Sequence, residues 1–286
     1  MKGLSSRRSW SVLTQFWRIY RKNRAATYCL PIILFFVFLA MFGPIIAPYR
    51  PQTTGVGPAV QPPDLQFPMG TDDLGRDVLS GVLWGARVSL AVGILASLIA
   101  TSVGIVMGAV SGFYGGLIDD TLMRITEVFL VIPSFVLALI LVATLGASIW
   151  NIILVIGVLS WPSTARIVRG EFLSLREREY VLAARAIGEG NRALIFRELL
   201  PNAITTVIPN GVLQVSSAIL LEAGVSFLGL GDPNVPSWGM MLNSAMQILR
   251  SAWWPGLFPG IALSSLAIAL NLMGDGLNDA LNPKAY

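Results

Sequence analysis

The 286-residue sequence has no histidine, one cysteine and three lysines, and only 13% of its residues are charged. Each shortage excludes something. Without histidine the chain lacks the commonest general base and metal ligand at neutral pH. Neither a Ser-His-Asp arrangement nor a Cys/His metal cluster can be assembled. Cys29 stands alone in an apolar run, so no disulfide can close within the chain, and it reads as a small apolar side chain. None of Lys2, Lys22 and Lys284 follows a glycine-rich turn, so there is no G-x-x-x-x-G-K-[S/T] phosphate loop. The chain therefore reads as non-catalytic, with no cofactor or metal of its own. Nucleic acid is not an expected partner, because the basic residues flank apolar runs rather than line one soluble face.

What is abundant is apolar: 54% of residues are hydrophobic, and the mean hydropathy is +0.68. Soluble domains carry about 25% charged residues, and one core of this length cannot absorb such a surplus. The bilayer is the alternative solvent. A spanning helix needs about 20 apolar residues, and six runs qualify: 28–47, 88–111, 128–145, 149–167, 203–221 and 257–273. The fold class expected is all-α, a polytopic membrane protein with six transmembrane helices. The first run is too long for a signal-peptide core and is followed by Gly43-Pro44 and Pro48 rather than a cleavage site, so it reads as a retained span. Gly146–Ser148 leaves room only for a tight hairpin between the third and fourth spans. Gly104 and Gly108 form a G-x-x-x-G pair suited to close helix contact.

Charge sets the expected orientation. With the N-terminus inside, 16 of the 20 basic residues are cytoplasmic, and only Arg50, Arg76, Arg87 and Arg250 lie outside. Both termini are then cytoplasmic, and residues 1–27 form a basic cytoplasmic segment before a transmembrane domain at 28–286. That domain has a proline-rich external loop at 48–87, a cytosolic loop at 171–202 and an external loop at 222–256. In the last of these, Trp238, Trp253 and Trp254 suit a membrane interface, and a cap over the outer mouth of a pathway is the other reading. The spans hold almost no ionisable group. Arg166 lies near an inner end, and Glu222 and Asp275 lie at span ends. Proton and ion relays use such groups, so the energy for transport has to come from elsewhere.

The cytosolic segment carries its own pattern. A helix is expected over Leu175–Ile187, with Tyr180, Ala183, Ala184 and Ile187 on one face. Gly188 can end it in a left-handed turn. A second helix fits Asn191–Leu200, ended by Pro201. Periodicity fits two readings equally: a loop packed on its own bundle, or a surface offered to a partner.

Ala183-Ala184-x-x-x-Gly188, with Leu200-Pro201 twelve positions later, resembles the coupling loop of ABC-importer permeases. Leu182 stands where that motif has its Glu, and Glu198 stands where it has an apolar residue. The block Gly70-Thr71-Asp72-Asp73-Leu74-Gly75-Arg76-Asp77 resembles the entry to the second span of the C-type permease in oligopeptide, dipeptide and nickel importers. Ser226–Gly231 with Pro236-Ser237-Trp238-Gly239 is similar to that family's outer loop, and Asn271–Pro283 to its C-terminus. The resemblance implies a type I ABC-importer permease fold in a bacterial inner membrane. It further implies half of a translocation pathway beside a homologous second permease, two ATP-binding subunits holding ATP and Mg2+, and an extracytoplasmic substrate-binding protein. Di- and oligopeptides are the expected cargo, with nickel chelates or glutathione as the alternative. A stand-alone carrier or channel and a membrane scaffold are the rival classes.

Overall fold

The computed structural model describes residues 17–281, and every regular element in that range is a helix. Lys2, Arg7, Arg8 and Lys284 lie outside the described residues. Helix α1 (Arg24–Ile46) starts where the Asn23 side chain accepts a hydrogen bond from Ala26 N–H. Helix α2 (Val78–Tyr114) starts ten residues before the expected span, because Asp77 caps it by accepting from Ser80 N–H at 2.8 Å. At 37 residues it is about 55 Å long, well beyond a hydrocarbon core of about 30 Å. Residues 48–87 are therefore not loop throughout, and the irregular part ends at Asp77.

The third expected span is not straight. Helix α3 (Gly116–Val131) and helix α4 (Ser134–Leu145) meet at 84°. Proline denies the helix an N–H and drives the preceding residue towards extended geometry. Ile132 accordingly sits at φ −81° and ψ 127°. Gly146 then turns the chain at φ +96° into α5 (Ile149–Leu175), which makes the expected hairpin.

Two corrections fall on the inner segment. The helix expected over Leu175–Ile187 is broken at Arg176–Arg178, and α6 runs Glu179–Ala186. Leu175 and Val181 would lie about 240° apart around one continuous helix. The break lets both enter the same buried cluster. Pro201 does not stop the next helix, since α7 (Asn191–Leu230) runs straight through it and kinks only at Gly229, where φ is +87°. Its Leu194–Leu199 turn has π winding, and Pro201 falls in the first turn of the α-helical stretch that follows. The wider turn gives the proline ring room against the preceding carbonyls.

Helices α8 (Trp238–Ile248) and α9 (Trp254–Leu281) complete the chain. Among the described residues five helices are long and apolar enough to cross a membrane, or six if the bent pair counts as one span. The pair α2–α5 is the most extensively packed. Three buried clusters result. One joins α1, α2 and α9 to Trp238 and Trp254, one joins α2, α4, α5 and α7, and one joins α6 to α2, α5 and α7.

Candidate functional site

The inner expected residues gather on one unit, α6 and the start of α7. Val181, Leu194 and Leu199 are fully buried and fix this unit to Phe113 and Phe172. Gly188 has φ +90°. Its N–H donates to Arg185 O at 3.1 Å, and Glu189 N–H donates to Ala184 O at 3.1 Å. This bond pair is a Schellman cap, which needs a residue that accepts positive φ. On the opposite side Tyr180, Leu182, Ile187 and Phe196 are exposed, Ile187 at 87%. Ala183 and Pro201 are exposed, while Ala184 and Leu200 are half-buried. The unit is thus anchored on one face and bare and apolar on the other.

The outer expected residues meet each other. Asp72 Oδ1 accepts from the N–H groups of Leu74 and Arg76, and its Oδ2 accepts from Arg76 Nε at 2.6 Å. Gly70 and Gly75 take positive φ in the same turn. Thr71 is fully buried, and its hydroxyl donates to Pro58 O at 2.6 Å while accepting from Gln61 N–H at 2.9 Å. A narrow cleft of about 80 Å³ separates Asp72, Arg76 and Asp77 from Pro236 and Met240. Gly239 lies so close to α7 that a Cβ there would stand 2.7 Å from Ala223 O.

Of the three tryptophans expected at a membrane interface only Trp253 is exposed, at 55%. Trp238 is fully buried and Trp254 nearly so. Trp254 Nε1 donates to Thr71 O at 3.0 Å, tying α9 to the Gly70–Gly75 turn. The ring polarity that suits headgroups also suits an interior that offers a carbonyl.

The spans hold more charge than their sequence suggests, because the helices outrun the apolar runs. Arg169 on α5 pairs with Asp119 on α3 through two hydrogen bonds of 2.5 and 2.6 Å, and Asp119 also accepts from Ser111. The partners are fifty positions apart, so no local spacing rule finds them. Glu222 lies inside α7, fully buried, with Oε1 accepting from Ser226 Oγ at 2.7 Å. Asp119→Ala should destabilise the solubilised complex by about 2–3 kcal/mol, since it strands a charged donor. Thermal unfolding of the purified complex measures this, and a midpoint equal to wild type would show the pair to be dispensable.

These features define a class: an all-helical, multi-pass membrane protein with no cluster of metal-ligating side chains among the described residues and with a bare apolar face on α6 and the start of α7. Residues 104–285 match the family described as the binding-protein-dependent transport system inner membrane component, and residues 11–63 match the N-terminal transmembrane domain of oligopeptide transport permease C. The chain belongs to that transport family, as a permease of the C type in ABC importers. It is 39% identical to the dipeptide transport system permease protein of Bacillus subtilis, over 97% of this chain and 88% of that one. It is equally similar to the di/tripeptide transport system permease protein of Pseudomonas aeruginosa, over 96% and 93% of the two chains. A chain of the MetNI methionine ABC transporter, solved in inward-facing conformations, shares the fold with a TM-score of 0.57 and 18% identity, over 71% of this chain and 96% of that one. Family membership brings ATPase and substrate-binding subunits as partners, and the permease itself is non-catalytic.

Proposed function

We propose that this chain forms half of the pathway of a di- and oligopeptide importer, paired with a homologous second permease, and that α6 with the start of α7 docks on the cytosolic ATPases. The carrying observation is that unit's two-sidedness: Val181, Leu194 and Leu199 buried, Tyr180, Leu182, Ile187 and Phe196 bare. A bare apolar face in water invites a partner, and a rigid anchor passes the partner's movement on. Through Leu175 and Val181 a push on α6 reaches α5, and through Leu194 and Leu199 in the same buried cluster it reaches α7. ATP and Mg2+ belong to the ATPases. The peptide names of the relatives support the cargo. The arginines at positions 176–197 support an inside-facing unit, and the start of α1 and the end of α9 lie on one side, where Asn23 Nδ2 donates to Asp279 Oδ2 at 3.1 Å. The outer blocks at Gly70–Asp77 and Pro236–Gly239 are assigned to the side that receives the binding protein.

Two variants test the docking face in the complete complex. Ile187→Asp touches no core contact and should shift stability by less than about 0.5 kcal/mol, yet it should release the ATPases during purification. Gly188→Val forces a β-branched residue to φ +90°, at a cost of about 1–3 kcal/mol. It should cut peptide uptake in proteoliposomes while ATP hydrolysis continues. Full ATPase retention by the first variant and full uptake by the second would refute the assignment.

A further inference from the structure

We propose that the cavity between α3 and α5 is a site for short peptides with both termini free, held by their terminal charges; this rests on the peptide-importer reading above. The cavity has a volume of about 560 Å³, within the range of about 300–1,000 Å³ usual for small-molecule sites. Asp120, Arg124 and Glu127 line it from α3, and Arg166 and Arg169 line it from α5. Arg166 falls inside the apolar run at 149–167. An ionisable group so placed is costly against lipid and belongs to a water-filled pathway or a polar ligand.

Arg169 is already committed, since its guanidinium holds Asp119 through two hydrogen bonds. The other four ionisable side chains are exposed, and none of them forms an ion pair among the described residues. Asp120 and Arg124 are four positions apart on α3, and Arg124 and Glu127 are three apart. Helical neighbours at these spacings commonly pair. Here they stay apart, and their head groups are left to the cavity. With Arg169 neutralised by Asp119, two acids and two bases remain, and the cavity carries no net charge. A simple anion would be repelled by Asp120 and Glu127, and a simple cation by Arg124 and Arg166. A molecule with one charge of each sign, held apart, satisfies both sets.

A free dipeptide is such a molecule, with an ammonium at one end and a carboxylate at the other. Its length also suits. Two extended residues span about 7 Å, and Asp120 and Glu127 stand about 6 Å and 4.5 Å along the α3 axis from Arg124. The carboxylate goes to Arg124 and Arg166, whose planar guanidinium groups match it in bidentate fashion. The ammonium goes to Asp120 or Glu127. Met123, half-buried in the same wall, offers the side chains an adaptable apolar surface. The groups recognised are those shared by every peptide with free ends, and blocking the ends removes both charges.

The test uses the purified complex of permeases and ATPases without its binding protein, so that no preference of the binding protein for free ends enters. In a Cys29→Ser background, Met123→Cys should react with a membrane-impermeant thiol reagent, read on this chain by mass spectrometry. Dialanine should slow that reaction several-fold, and N-acetyl-dialanine amide should not. This comparison needs no charge substitution. Arg166→Gln and Asp120→Asn should each raise the dialanine concentration for half-protection about tenfold, the worth of one hydrogen bond to a charged group. An unreactive Met123→Cys would show the cavity to be covered in the complex. A reactive one that dialanine leaves unprotected would show water without cargo. Equal protection by the blocked peptide, or protection indifferent to both charge variants, would show that the ends are not read. Each of these results overturns the site, while wild-type uptake of dialanine in proteoliposomes with the binding protein preserves the peptide-importer reading. Absence of that uptake overturns both.

Discussion

Trp238→Ala should destabilise the assembled permease by about 3–5 kcal/mol, the range for removing a fully buried large aromatic. Trp238 has no exposed surface. Its Nε1 donates to Val82 O at 3.0 Å, and Phe36 meets its ring edge-on at 5.6 Å. Its seat is Gly85, where a Cβ would come within 2.5 Å of the indole. Truncation opens a cavity among α1, α2 and α8 and removes the indole's hydrogen bond to a helical carbonyl. Trp238→Phe keeps most of the packing and loses only the N–H, so about 1–2 kcal/mol is expected. Complex yield and thermal midpoint read both. A Trp238→Ala complex as abundant and stable as wild type would mean that the outer segment is not part of the core.

Gly108→Leu should be more damaging still, with little complex recovered from membranes. A Cβ at Gly108 would stand 2.8 Å from Val168 Cβ and 3.0 Å from Arg169 N. The same tightness continues at Gly104 against Thr164 and at Gly112 against Phe172. The three glycines, four apart, form the seam along which α2 meets α5, and a leucine there must force the two helix backbones apart. Overpacking of this kind costs about 3 kcal/mol or more. Gly170→Leu is the control, because a Cβ at Gly170 meets nothing within 4 Å. Equal membrane levels of the two variants would sink the prediction.

Much of this architecture is legible in the sequence for physical reasons. Hydropathy locates the spans because a helix in lipid must satisfy its own backbone. The Gly104–Gly108 pair points to a close contact, although the seam continues to Gly112, which the pair does not include. Gly188 stands out because left-handed turns favour one residue type. Other features depend on partners distant in sequence. Hydropathy cannot separate a ring that meets lipid from one that meets protein, so Trp238 reads as an anchor until Val82, 156 positions away, is found beneath it. The bend at Pro133 lies between two apolar halves that read as one run. Gln214 gives no signal at all, since the partners of its nitrogen, Ser160, Ser163 and Thr164, are 50 to 54 positions away.

Helix α7 runs from Asn191 to its kink at Gly229, about 55 Å, and carries Phe196 near one end and Glu222 near the other. Its length is therefore a matter of angular phase. Adding or deleting one residue between Phe196 and Gln214 would rotate everything beyond it by about 100°. The bare face and the Gln214 amide, which bonds to Ser160 and Thr164 on α5, could then no longer both be correctly aimed. Insertions between Ala47 and Asp77, where no helix exists, carry no such penalty. The π turn at Leu194–Leu199 already holds more residues per turn than the α-helix after it, and at the far end the helix kinks at Gly229. They flank the stretch whose phase is fixed, and changes in chain length can be absorbed only at or beyond them.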